Sequence, residues 1–425
     1  MYCQSVHIVF LVLLVQTTAV SASSSMPSAV PEFGHDMLRL FAMDSNYTNL
    51  NHGSYGAPPK QVLNAAQAYE LDMEKNPDNW FRFTVYDMMD AVRKVLAKFV
   101  GADADDVAFV PNASHGVNAV LRSLRIKPGE KILFLNVAYT MVKNTLKYLE
   151  EFDHDSLLQV NITLPGSNTL IVEAVRQALE DNAGRVKVAS LSHIVSLPGF
   201  ILPIKELTDL CHAHGVLVLI DGAHALGQIP LNLNELNADF WVGNGHKWLF
   251  SPKGSAILWV PKKNQHLVEP TTISWEGVGA THFQAAFAYQ GTSSYSPYLA
   301  MADAVAFRES IGGEEKIHKY MHSLAVETGK KMASAFGTEV LFSDDSRYAS
   351  MVDVRLPSSD GSLVQPIPKE LMKQFNTYVP VYGIESLGGE KGKYYVRVSL
   401  QIYNEISDIE YLIQAIQQLL KKDTV

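Results

Sequence analysis

The ends of two neighbouring apolar runs hold the residues with the most chemical potential. Asp221 lies in "VLVLIDGAHA" (216–225) with His224 three residues on, and Lys247 follows "DFWVGNG" (239–245) directly after His246. A lysine packed beside Trp248 and Leu249 loses hydration, which lowers its pKa and frees an amine able to form a Schiff base with a carbonyl. Taken singly, neither residue is specific. A lone lysine is more often a surface side chain reaching from a turn, and an aspartate at a strand end serves as a helix cap or metal ligand as readily as a cofactor contact. Together they point to one cleft, because open α/β sheets bind ligands beyond the carboxyl ends of their strands.

That cleft needs a sheet. Short β-branched runs at 131–139, 185–194, 216–225, 239–245 and 255–260 alternate with helix-like stretches, one of them "SNTLIVEAVRQALEDNAG" with Ser167 as N-cap and Gly184 as stop. The alternation predicts βαβ units in a mostly parallel sheet, an α/β fold class. From about residue 306 long amphipathic helices are followed by strand-like "ASMVDVRLP" and "KYYVRVSL" and a final helix, "EISDIEYLIQAIQQLLKK". The expected organisation is an arm at 23–48, a large α/β domain at 49–305 and a smaller α+β domain at 306–425.

Composition narrows the function classes. The 425 residues carry 35 basic and 44 acidic side chains, a formal net charge of -9 without long like-charge runs, which argues against nucleic acid as a partner. "HIVFLVLLV" (7–15), followed by a small-residue Val20-Ser21-Ala22 site, reads as a signal peptide over 1–22 and predicts entry to the secretory pathway. An uncleaved anchor is the other reading. That run is short of the ~20 residues a membrane span requires, and no later stretch reaches that length, so stable membrane insertion is not expected. Asn46, Asn112 and Asn161 begin formal glycosylation sequons. Of the two cysteines, Cys3 lies in the signal segment and Cys211 on a helix, leaving no intramolecular disulfide in the mature chain. "CHAH" (211–214) lacks a second ligand pair and would scatter its side chains around a helix, so no metal site is expected.

Several blocks carry a resemblance: "NLNHGSYGAPPKQVL" from residue 49, "NPDNWFRF", "VPNASHGVNAVLRSL", "SHIVSLPGFILPIKEL", "LIDGAHALGQIPLNL", "NGHKWLFSPKGSAILWVPKKNQHL" and "YYVRVSLQIYNEISDIEYL" ending at 412. The chain resembles the fold-type I pyridoxal 5'-phosphate enzymes of the class V aminotransferase family, within it the group of isopenicillin N epimerases, ergothioneine-pathway carbon–sulfur lyases and L-cysteine desulfhydrases. The resemblance implies a large domain with a mostly parallel seven-stranded sheet and a smaller α+β C-terminal domain.

It also implies roles. Lys247 would carry the cofactor and move the Cα proton. Asp221 would pair with the ring nitrogen and keep the ring an electron sink. Tyr139 would stack on the ring and pass a proton to a leaving group. Ser196 and His224 would lie by the cofactor, and a phosphate cup would form from Ala113, Ser114 and His115 at a helix start, with Asn244 and His246. Thr292 would complete the neighbouring subunit's site in a homodimer. Arg397 would take the substrate carboxylate as a bidentate fork, with Arg82, His52 and Tyr55, and less specifically Trp80, as further substrate contacts.

The expected function is carbon–sulfur β-lysis of cysteine or an S-substituted cysteine or sulfoxide, giving pyruvate and ammonia. Epimerisation or transamination is the alternative, and a non-catalytic binding protein on the same fold is a second. A cysteine desulfurase is disfavoured, because "VYGIESLGGEKGKYYVR" holds no nucleophilic cysteine before Arg397.

Overall fold

The β-branched runs become the middle of a seven-stranded sheet in a computed structural model that describes residues 31–151, 155–273 and 283–422. The expected signal peptide and the arm up to residue 30 lie outside the described residues. The strands are β1 (Val107–Val110), β2 (Lys131–Leu135), β3 (Leu157–Val160), β4 (Val186–Ser192), β5 (Leu217–Asp221), β6 (Phe240–Asn244) and β7 (Ala256–Trp259), in spatial order β1-β7-β6-β5-β4-β2-β3. Neighbours from β3 to β6 pair in parallel, and the central residues of β2, β4, β5 and β6 are buried because helices cover the faces, while β3 lies at the sheet edge and is less buried.

β7 breaks the pattern by running antiparallel to both β6 and β1. Residues 245–255 between β6 and β7 hold only one helical turn, Gly245–Trp248. A parallel crossover takes a dozen or more residues and a helix long enough to traverse the sheet, so this chain folds straight back. Lys247 sits in that return.

Local signals set the helix ends around the site. Ser167 Oγ accepts from the Leu170 N–H at 3.3 Å to start Asn168–Asp181, and Asn112 caps Ala113–Ser123 by accepting from the His115 N–H at 3.0 Å.

A second sheet, β8 (Met351–Arg355), β9 (Val381–Gly383) and β10 (Tyr394–Ser399), is antiparallel in the order β8-β10-β9 and lies wholly after residue 306. The helix Ser296–Ser310 runs through the expected boundary at 305/306. The amino-terminal segment reaches this sheet too: the Ser399 N–H donates to the Leu50 carbonyl at 2.8 Å, which sets Asn51 beside the end of β10. Among the described residues no helix is long and apolar enough to cross a membrane.

Candidate active site

The carboxyl ends of β4, β5 and β6 and the start of Ala113–Ser123 surround a cavity of about 350 Å³. Asp221 and Asn244 are the last residues of β5 and β6, and Lys247 follows Asn244 by three. Parallel register brings Asp221 level with Val242, so the two strand ends share the cavity, as their sequence placement suggested. Burial raises the Asp221 carboxyl pKa, against the Ala223 N–H bond at 3.0 Å that favours the anion.

Lys247 belongs to a hydrogen-bond chain whose polarity can be read. Its Nζ lies 2.9 Å from His224 Nε2, and His224 Nδ1 lies 3.3 Å from the Trp248 indole nitrogen. An indole N–H only donates, so His224 Nδ1 accepts. Burial first, and the Lys247 charge second, hold the His224 pKa well below the ordinary value. The neutral ring therefore carries its proton on Nε2, and that N–H faces the Lys247 amine and the Ser196 hydroxyl at 3.2 Å. Only an unprotonated amine can accept it. Burial pushes the Lys247 pKa down to about 8, against the pull of Asp221. Desolvation and tautomer act in one direction, toward a nucleophilic amine.

The expected phosphate cup is partly occupied by the chain itself. The Ala113 N–H donates to Asn244 Oδ1 at 2.8 Å, and the His115 N–H is taken by Asn112. Asn244 thus ties β6 to the helix start, and the His115 ring is exposed against Asn112 at 3.1 Å and does not line the cavity, which corrects its place in the expected cup. Ser114 and His246 line it. His246 Nδ1 faces the Ser255 carbonyl at 3.3 Å, and burial pushes its pKa down to about 4, so it is neutral.

A second cavity of about 990 Å³ adjoins the first, and Ser54, Tyr55, Tyr139, Ser196 and Lys253 line both. Tyr139, the residue before helix Thr140–Glu150, is half exposed at this junction. Arg397, on β10, lines the larger cavity although only 2% of its surface is exposed. It donates to the Ser196 carbonyl, to Asn51 Oδ1 at 2.7 Å and to the Ser54 hydroxyl at 3.3 Å, while its buried Nε has no protein partner. Nearby Asp353 is fully buried, accepting from the Gly199 N–H at 2.7 Å and the Tyr382 hydroxyl at 2.9 Å.

Three expected substrate contacts lie elsewhere. The His52 ring is fully buried between the Tyr403 hydroxyl and the Lys247 carbonyl, each at 2.8 Å, and burial pushes its pKa down to about 3. It props the lysine turn from behind. Arg82 is exposed and paired with Asp78 at 3.0 Å, one helical turn away, and Trp80 is buried in the core. Neither lines either of the two cavities: the block "NWFRF" forms a helical segment in which Trp80 turns into the core while Arg82 and Phe83 face outward. Thr292 is exposed beside the Tyr289 hydroxyl at 2.7 Å and lines neither cavity of its own chain.

Residues 54–412 match the family model described as aminotransferase class-V. The chain belongs to the aminotransferase class-V family. It is 30% identical to the L-cysteine desulfhydrase-like protein lolT1 of Epichloe uncinata, over 89% of this chain and 94% of that protein. It is 28% identical to the hercynylcysteine sulfoxide lyase of Schizosaccharomyces pombe, over 91% and 97%. Among solved structures, a complex of the cystine C–S lyase C-DES with cysteine persulfide shares the fold at a TM-score of 0.77 and 20% identity, over 88% of this chain and 97% of that one.

Pyridoxal 5'-phosphate is the cofactor that this family and this donor set imply. Lys247 offers an amine whose pKa burial has lowered, Asp221 a buried carboxylate for the ring nitrogen, Ser114 a helix start for the phosphate and Tyr139 an aromatic face. Sequence reasoning missed Asn51 and Ser54, which hold Arg397, and the donor role of Trp248. Short polar residues in "NLNHGSYG" carry no signal until β10 pairs with them.

Proposed function

We propose that this protein is a pyridoxal-phosphate-dependent carbon–sulfur β-lyase that splits cysteine or S-substituted cysteines into a sulfur product, pyruvate and ammonia. One observation carries the reading: Lys247, its pKa lowered by burial to about 8, faces His224 Nε2 in the cavity it shares with Asp221, at a junction lined by Tyr139 and leading to the buried Arg397. The curated relatives named for desulfhydration and sulfoxide lysis support the same reaction class.

Arg397 binds the α-carboxylate and so fixes which Cα bond faces the lysine. Lys247 Nζ takes the Cα proton. The cofactor, when bound, serves as the sink for the electrons left at Cα, and the Asp221 carboxylate keeps that sink cationic. Tyr139 O–H lies at the junction to protonate the departing sulfur as the Cβ–S bond breaks. The unsaturated amine product takes up water to give pyruvate and ammonia, which balances the reaction without an oxidant.

A homodimer with Thr292 completing the partner's site belongs to the same proposal, supported by the exposure of Thr292 away from its own cavities. So does secretion through the 1–22 segment, supported by its apolar run and small-residue cleavage site. The reaction is tested by supplying L-cysteine, an S-alkyl cysteine sulfoxide and L-alanine to the purified protein with cofactor. Pyruvate from the sulfur compounds and none from alanine is expected; racemised alanine without pyruvate from the sulfur compounds contradicts it.

A further inference from the structure

The larger cavity far exceeds what cysteine needs, since beyond Cβ that substrate has a single sulfur atom. About 990 Å³ is at the upper end of what encloses a drug-sized ligand. Its charged lining is one-signed. Lys143, Lys253 and Arg397 are cations, and among the described lining residues none is Asp or Glu. Asp353, the buried carboxylate near Arg397, lies outside the lining, with both oxygens held by Gly199 and Tyr382.

Neither lysine has a carboxylate partner among the described residues. Lys143 Nζ donates to the Asn136 carbonyl at 3.2 Å and Lys253 Nζ to the Gly56 carbonyl at 3.0 Å. A concave wall with cations of one sign focuses positive potential into the space between. An amino acid's own carboxylate satisfies Arg397, whose guanidinium is fixed by Asn51 and Ser54. Two ammonium groups then face the space the sulfur substituent must enter.

We propose that the preferred substrates are cysteine S-conjugates whose sulfur substituent bears an anionic group of its own, read by Lys143 and Lys253. This rests on the lyase reading for the reaction but not for the recognition. The aromatic rings of Tyr47, Tyr378 and Tyr382 in the same wall also suit a flexible organic substituent. They do not make it a site for a cation, because the lysines oppose one.

Three conjugates test this, the first two of matched shape: the S-(2-carboxyethyl), S-(2-carbamoylethyl) and S-(2-aminoethyl) derivatives of L-cysteine, given to the protein loaded with cofactor. The expected order of kcat/KM is carboxyethyl, carbamoylethyl, aminoethyl. About tenfold between the first two is expected, carried mainly by KM and shrinking as salt is added. Lys143→Met and Lys253→Met each reduce that ratio, and the double variant brings it close to unity. Equal values for the first two, or a preference for the aminoethyl compound, overturn the proposal. If no conjugate yields pyruvate, the lyase reading fails, and the ratio of Kd values by calorimetry still decides recognition by the same criteria.

Discussion

At the residue scale the protein's chemistry turns on one proton in the Trp248–His224–Lys247 chain. Because the indole fixes the His224 tautomer, the Nε2–H must meet a lone pair on Lys247, and the amine is selected over the ammonium ion. The Lys247 pKa is lowered, so the neutral form grows as pH rises through about 8 and is lost below it. The rate at which apoprotein captures pyridoxal phosphate is expected to rise through about pH 8 and level off above, instead of climbing toward the range of an ordinary lysine. In Trp248→Phe the Nδ1 site loses its donor, the ring proton can move there, and Nε2 can accept from an ammonium ion. The capture profile then shifts upward by roughly 0.5 to 1 pH unit. An unmoved profile contradicts the tautomer assignment. Lys247 and Asp221 were legible in the sequence because a lysine and an aspartate at the ends of adjacent apolar runs have few structural reasons to coincide. The indole–imidazole bond was not, since it depends on how a one-turn helix orients two successive side chains.

The elements matter chiefly through the return between β6 and β7, which is clamped from three sides. His52 holds the Lys247 carbonyl, and fully buried Arg308 donates to the Trp248 carbonyl at 2.7 Å and the Gly227 carbonyl at 2.8 Å while pairing with Glu314 at 2.6 Å. Gly56 closes the third side: its φ is +66°, and a Cβ there would lie 1.8 Å from the His246 carbonyl oxygen. Gly56→Ala should cost about 2 to 4 kcal/mol, since both the backbone conformation and the contact are violated. Arg308→Met should cost about 3 kcal/mol by leaving buried carbonyls and Glu314 without their donor. Urea unfolding of each variant checks these, and a midpoint equal to that of the unaltered protein contradicts the clamp. The apolar runs told five of the seven strands of the large sheet but not β1 and β3 at its two edges, and the segment lengths hold the reason β7 is antiparallel. The clamp was illegible, because Arg308 lies 60 positions from Trp248 and reads in sequence as one more helix charge.

For the whole molecule, the sheet positions the cofactor groups and the segment around residue 50, paired with β10, positions Arg397, so the site draws on both ends of the chain. The class V blocks from residue 49 to 412 made this fold and its cofactor readable, while burial takes His52 and Trp80 away from the cavities and Arg82 faces outward to Asp78. The proposed homodimer predicts sedimentation at twice the chain mass, with Thr292→Ala weakening cofactor retention and leaving that mass unchanged; a monomer that binds cofactor fully contradicts it. The rest of the proposed chemistry depends on Lys247 bonding the cofactor. The direct measurement is borohydride reduction of the cofactor-loaded protein followed by peptide mapping. A phosphopyridoxyl group on the peptide containing Lys247 is the predicted result, and a label on another lysine, or none, contradicts the account.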